Sequence, residues 1–360
     1  MMHVMEPLFD VAYLVVVIGL GIRLLLEESS GARRFGMMAI VLGAGDAFHL
    51  IPRILAHLTP NGFAEYAALL SWGELVTSIT MTFFYLLFFA YYQEMSGDRI
   101  PAKKHMIQVL AAARILFTLL PQNEWGTAGN DTFALLRNVP FLIMGLLLIR
   151  WTWQTRSFSG LEHAAELIFL SFLFYVPVVA GARFVPVLGV FMIPKTLAYV
   201  ALVVSGFRHY IRGLTPSHLL KTAIVFLIMG LAGGVFYREL TKALGWTSPT
   251  SLGLVHPHSI MLGFVLMLIL YLLLRDRAPA ELASIRRPLR IYQTGLVWTI
   301  VGMLVRGIAT MAADGISLFP DAALSGIAGI GHVFLGAGLV SLFVILTRQK
   351  TAPSFGRDGF

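Results

Sequence analysis

The 360-residue chain contains no cysteine. That absence excludes disulfides, thiolate metal sites, iron–sulfur clusters and thioether-attached haem. Any bound metal must rely on histidine, methionine, carboxylate or backbone oxygen. Charge is scarce as well. Only 13% of the residues are charged, about half of the roughly 25% that soluble domains carry, so the chain lacks the polar surface a water-facing globule needs. It also has no nucleotide-binding glycine pattern, nucleophile elbow or zinc-protease motif, so the sequence supports no catalysis of the soluble-enzyme kind and names no reaction.

Apolar sequence takes the place of what is missing. Hydrophobic residues make up 57% of the chain and the mean hydropathy is +0.78. The apolar residues fall into runs of roughly 17–25, the length that crosses the hydrocarbon core of a bilayer. The expected architecture is an all-α integral membrane protein of about eleven transmembrane helices, near 8–26, 36–57, 67–93, 105–121, 131–150, 164–181, 186–207, 219–238, 253–274, 291–311 and 322–347. The 34 glycines and 16 prolines fit, since both are better tolerated in membrane helices than in soluble ones. The first run starts at Leu8 with Glu6 before it and Asp10 within it, and has no basic flank and no small-residue cleavage site. It reads as a retained span and not as a signal peptide.

The loops between these runs sort by charge. One side carries Arg33, Arg34, Arg99, Lys103, Lys104, Arg150, Arg156, Arg208, Arg212, Arg275, Arg277, Arg286, Arg287, Arg290, Arg348, Lys350 and Arg357, and the other only Arg183, Arg238 and Lys242. The positive-inside rule puts the crowded side in the cytoplasm of a bacterial inner membrane, with the N-terminus outside and the C-terminus inside. An odd number of spans is then required. The net charge of +8 is therefore read as topology, and the expected partners are the lipid bilayer and a redox or membrane-protein partner, not nucleic acid. Gly213 and Pro216 in the linker suggest a seven-helix region over 1–212, a four-helix region over 213–350 and a cytoplasmic tail over 351–360. No internal repeat appears, which gives an inverted-repeat transporter little support.

An ionisable side chain inside a span costs a few kcal/mol, so each one is a functional hypothesis. In the four-helix region Tyr237, Arg238, His256, His258, Arg306 and His332 fall at similar depth toward the outer face. His256 and His258 lie two residues apart, about 200° around a helix, so their imidazoles point to opposite sides. Pro257 between them suits a first helical turn. His332 follows the small-residue run 326–331, which lets a helix or a flat cofactor approach the backbone. An axial histidine pair from two helices is what haem b requires, and Arg238 or Arg306 would pair with its propionates. The expected site is thus haem b or a metal ion, with His256, His258 and His332 as the metal-ligand candidates and Tyr237 beside them. The bland alternative is that the histidines hydrogen-bond between helices and serve packing.

The segments Phe236–Lys242, Leu254–Gly263 and Gly329–His332 resemble an uncharacterised bacterial family of four-helix membrane proteins, over about residues 217–348. That family implies no function. The His-x-His followed by Leu262-Gly263 is also similar to a haem-ligating helix of haem–copper oxidase-like proteins. The chain lacks their full copper-site histidine set, which argues against oxygen or nitric oxide reduction.

In the seven-helix region Asp46, His49 and Arg53 lie at i, i+3 and i+7 on one helix face. With Glu74, Arg114, Arg137 and Lys195 they give two acids against four bases. This suggests either a packing network of ion pairs or a polar cavity of a transporter or channel for a small solute. Lys195, midway along a seventh helix, is also where microbial rhodopsins attach retinal, with Glu74 as a counter-ion candidate and Tyr175 and Pro177 as pocket residues.

Overall fold

A computed structural model describes residues 2–127, 129–182, 184–312 and 321–348. Arg183, Lys350, Arg357 and the expected tail 351–360 lie outside the described residues. The described residues are all-helical and contain no strand. Eleven long helices succeed one another: α1 Met2–Leu25, α2 Ser30–Leu58, α3 Ala67–Ser96, α4 Pro101–Leu119, α5 Asp131–Gln154, α6 Ala164–Gly181, α7 Met192–Tyr210, α8 Pro216–Ala243, α9 Ser251–Leu274, α10 Pro279–Ala312 and α11 Asp321–Arg348. Helix α9 is composite: a 3-10 turn Ser251–Leu254, an α-turn Val255–His258, a π-helix Ser259–Val265 and an α-helix Leu266–Leu274.

Ten of these helices are long and apolar enough to cross a membrane, and the chain is accordingly a multi-pass membrane protein by composition. By length and composition alone the eleventh, α4, does not stand with them. Helix α4 forms and packs with the rest, but its 19 residues include Lys103, Lys104 and Arg114, which make it too charged to stand with the other ten. A second difference concerns α10. It starts at Pro279, well before the expected 291, and takes in most of the segment read as a charged connection. Leu282, Ile285 and Leu289 are buried at i, i+3 and i+7. The extension is amphipathic, and Arg286, Arg287 and Arg290 on its other side dilute the average hydropathy.

Local signals set the helix ends. Ser29, Asn130 and Thr215 cap α2, α5 and α8 by accepting from Ala32, from Thr132 and Phe133, and from His218, which satisfies amides that the first turn leaves open. Pro101 and Pro216 open α4 and α8, where a missing N–H costs nothing.

The chain divides into two compact units, 1–212 with 307–319, and 213–306 with 320–360. In the first, α1 to α7 form a closed ring in which each helix packs on the next and α7 packs back on α1. Glycine permits the closest approaches: a Cβ on Gly36 would stand 2.8 Å from the Gly21 carbonyl oxygen, and one on Gly73 would overlap the Phe48 carbonyl. The interior is aromatic. Phe84, Tyr85, Phe88, Phe141, Phe172 and Tyr199 are buried together, with edge-to-face pairs such as Tyr85–Phe141 at 5.1 Å and Phe84–Tyr199 at 5.6 Å, the geometry the ring quadrupole favours.

In the second unit α8 packs along α9. Helix α10 ties to α9 through the Tyr292 hydroxyl, which donates to the Leu262 carbonyl at 2.7 Å, and through Ser251 Oγ, which donates to Met303 O at 3.0 Å. It ties to α11 through Trp298 Nε1, which donates to Ile327 O at 2.8 Å. Leu262 lies within the π-helix, whose widened turn disturbs the regular backbone ladder, and Tyr292 supplies a donor there from outside.

Candidate functional site

The two histidines of α9 fan apart, as a 200° separation demands. His256 turns to α8: its Nδ1 lies 2.9 Å from Gly230 O, and a Cβ on Gly234 would stand 3.1 Å from that same nitrogen. His258 turns to α11, where its ring centroid is 6.4 Å from that of His332, with the ring planes at 84°. The three expected metal ligands are therefore not brought to one point. His256 takes up an interhelical packing bond, and only His258 and His332 face each other. Among the described residues no group of three or more histidines, aspartates or glutamates could hold a metal ion.

The two facing rings are oriented alike. His258 Nδ1 lies 2.9 Å from Leu254 O and His332 Nδ1 lies 3.4 Å from Ala328 O, each one turn back on its own helix. An Nδ1 that donates to a carbonyl carries the proton, so the neutral ring keeps its lone pair on Nε2. No hydrogen bond to Nε2 of either ring is present among the described residues. The small residues of α11 divide between two faces. A Cβ on Gly331 would stand 2.6 Å from Thr299 Oγ1 on α10, whereas one on Gly329 or Gly336 would meet nothing within 4 Å. Gly329, His332 and Gly336 fall at i, i+3 and i+7, so the open glycines share a face with the histidine. Around it Val333 is 70% exposed and Met261 on α9 is 59% exposed.

The other predicted residues of this unit are placed differently. Arg238 is exposed and paired with Glu239 at 2.7 Å, Tyr237 packs its ring over Gly253, and Arg306 is half-buried one turn beyond Met303.

In the seven-helix unit the predicted polar residues find partners on neighbouring helices. Asp46 accepts from the Tyr13 hydroxyl at 2.6 Å, Arg53 pairs with Glu6, and His49 Nδ1 lies 3.1 Å from Leu70 O. One face of α2 therefore serves α1 twice and α3 once. Arg137 pairs with Glu74, donates to Asn123 Oδ1 at 2.8 Å and lies over the Trp125 ring at 4.4 Å. Asn123 in turn donates to the carbonyls of Phe117, Thr118 and Leu120 at the end of α4. Lys195 sits over the Tyr175 ring at 4.6 Å, and Arg114 over Phe141 at 3.4 Å.

The acids and bases are more nearly balanced than the count of two against four. Glu6 and Asp10 sit on the same face of α1 as the buried Tyr13 and Val17, at positions 6, 10, 13 and 17. Glu6 bonds Arg53 and lies 3.0 Å from His57 Nε2. The helical spacing of Glu6, Asp10 and Tyr13 was the available signal, and hydropathy hid it by treating the acids as a flank. Tyr85 and Tyr199, whose hydroxyls bond each other at 3.1 Å, carry no comparable mark, because a tyrosine in an apolar helix reads as core.

Compared with known families, residues 217–349 match the one described as "Protein of unknown function (DUF2871)". The match spans α8 to α11 and coincides with the stretch whose motifs resemble an uncharacterised family. No curated protein matches the chain, and no solved structure matches it.

Proposed function

We propose that the chain is an eleven-span protein of a bacterial cytoplasmic membrane, N-terminus outside and C-terminus inside, whose last four helices bind haem b through Nε2 of His258 and His332 in a redox or sensory role. The separation of the two rings carries this reading. With metal–nitrogen bonds of about 2.0 Å and about 1.1 Å from nitrogen to ring centre, two imidazoles on opposite sides of one ion stand about 6.2 Å apart, and at a tetrahedral angle about 5 Å apart. The distance here is 6.4 Å. Both Nδ1 atoms are committed to backbone carbonyls, the orienting bond that ligating histidines make. A porphyrin brings four donors of its own and asks the protein for two, whereas a bare zinc or copper ion asks for three or four. Two facing histidines therefore fit haem better than a naked ion. Gly329 and Gly336 leave room beside His332 for a flat ring, and the π-helix directly after His258 is a feature often found at functional sites. Bound haem would supply one-electron transfer; the protein's part is to hold and orient it.

The span count rests on α4. Its outward side chains Met106, Val109, Leu116 and Leu119 are apolar and exposed, while Arg114 points into the ring. Such a helix crosses a bilayer with its charge turned inward, and it restores the odd number that the loop charges demand.

The test is an absorption spectrum of the detergent-purified full chain, oxidised and dithionite-reduced, before and after titration with hemin. A Soret band that stays with the protein after unbound hemin is removed, and that shifts on reduction, supports the reading. A protein that retains no Soret band after that removal, with metal analysis also empty, overturns it.

A further inference from the structure

We propose that the seven-helix unit holds a small monovalent anion of chloride size on Arg114. The side chain points into the helical ring from α4 and is 2% exposed. Its guanidinium carbon lies over the Phe141 ring, 3.4 Å from the centroid. Its Nε and Nη1 are buried and have no hydrogen-bond partner among the described residues. The ionisable groups acting on it most strongly are Tyr175, Tyr199, Tyr85 and Arg137, with no carboxylate among them.

Arg53 has Glu6, Arg137 has Glu74 and Asn123, and Arg23 has Glu27. Lys195 has the faces of the Tyr175 and Tyr199 rings. Arg114 has no carboxylate partner among the described residues, and its positive charge is unmatched there. An uncompensated charge with unmade hydrogen bonds is the costly arrangement inside a low-dielectric core. A single negative charge that accepts from the two N–H groups removes that cost, and a divalent one would exceed it. Lys195, whose ammonium also acts on Arg114, adds attraction from α7. The occupant must be small, because Phe141 beside Arg114 and Phe172, which packs on Phe141, are both 5% exposed or less. The inference stands on α1 to α7 alone and needs nothing of the histidine pair.

The test follows thermal unfolding of the full chain in detergent as chloride replaces gluconate at fixed ionic strength. The wild-type midpoint is expected to climb by roughly 2–4 °C for each tenfold rise in chloride once the site fills, with bromide equally effective. Arg114→Gln is expected to be insensitive to chloride. A wild-type midpoint indifferent to chloride overturns the proposal, as does an equal response in Arg114→Gln. An equal climb with sulfate at matched ionic strength also overturns it, because that is screening. Should the glutamine variant fail to fold, Arg114→Lys keeps the charge and loses the planar fork. A chloride response shifted to higher concentration then supports the site, and one superimposable on wild type overturns it.

Discussion

In the seven-helix unit Asp46, Arg53 and Arg137 each meet a partner from another helix or loop, and the hydroxyls of Tyr85 and Tyr199 meet each other. In the four-helix unit His258, half-buried, and His332, exposed, spend one ring nitrogen on their own helices, and the other takes no hydrogen bond among the described residues. Polar groups in apolar helices have to be satisfied in both cases. Where the chain supplies the partner, the group fixes packing. Where it does not, the group calls for something from outside. His256 makes the contrast within a single turn: two residues from His258, it bonds Gly230 across the helix interface and belongs with the first kind.

The largest effect should come from the three histidines. His258→Ala and His332→Ala are each expected to abolish the Soret band, a loss of at least tenfold in bound haem. His256→Ala is expected to keep the band and to lower stability by about 1 kcal/mol through the lost hydrogen bond. If all three variants lose the band equally, the division between packing and ligating histidines fails.

The directions of these three histidines are half legible in the sequence. The opposite directions of His256 and His258 follow from the 3.6-residue repeat alone. The meeting of His258 with His332 depends on which helices pack together, and no local pattern encodes that. The π-helix was equally hidden, since Ser259–Val265 has the composition of any apolar helix. Hydropathy found the core of every long helix, α4 with its inward-tucked Arg114 included, but misjudged the start of α10, where three arginines mask a buried stripe. The partnership of Glu6 with Arg53 was missed for a related reason: an acid near the edge of an apolar run looks like a flank until the neighbouring helix is known.

A change within the polar network of the first unit should rank next. Arg53→Met removes the cation from Glu6, which is part-buried and keeps only His57. Stranding a buried carboxylate in this way costs about 3–5 kcal/mol. The double variant Arg53→Met with Glu6→Gln should recover most of that loss, because neither charge is left alone. Unfolding midpoints of the two proteins decide it, and a double variant no better than the single one would mean that the pair does not act as a unit.

The glycines of α11 sharpen the contrast at a smaller scale. Gly331→Ala sets a methyl 2.6 Å from Thr299 Oγ1 and 2.8 Å from its backbone nitrogen, and overpacking of that kind costs about 1–3 kcal/mol. Gly329→Ala faces open space and should be neutral or slightly stabilising, since alanine is the better helix former by about 1 kcal/mol. Gly329→Leu should spare stability and still weaken haem retention by filling the space beside His332. Equal retention in Gly329→Leu and wild type would remove that face from the site.

The smallest effect belongs to a paired charge outside the spans, at the α3–α4 corner. Asp98 accepts from Lys103 and from the Tyr92 hydroxyl at 2.7 Å, and its other oxygen accepts from the Ile100 amide at 3.2 Å as α4 begins. Burial pushes the carboxyl upward, but the Lys103, Tyr92 and Ile100 hydrogen bonds outweigh it and hold the group below its ordinary value of 3.8. A carboxyl lowered by folding contributes stability that is fully present above its unfolded pKa and is lost as the pH falls through the folded value. Wild-type protein should therefore lose about 1 kcal/mol or less from this corner between roughly pH 5 and pH 3. Asp98→Asn should begin lower by that amount and show a correspondingly shallower fall. Parallel acid curves for the two proteins would mean that the corner contributes nothing, and that pairing inside the ring, not at its rim, carries the electrostatic stability of the first unit.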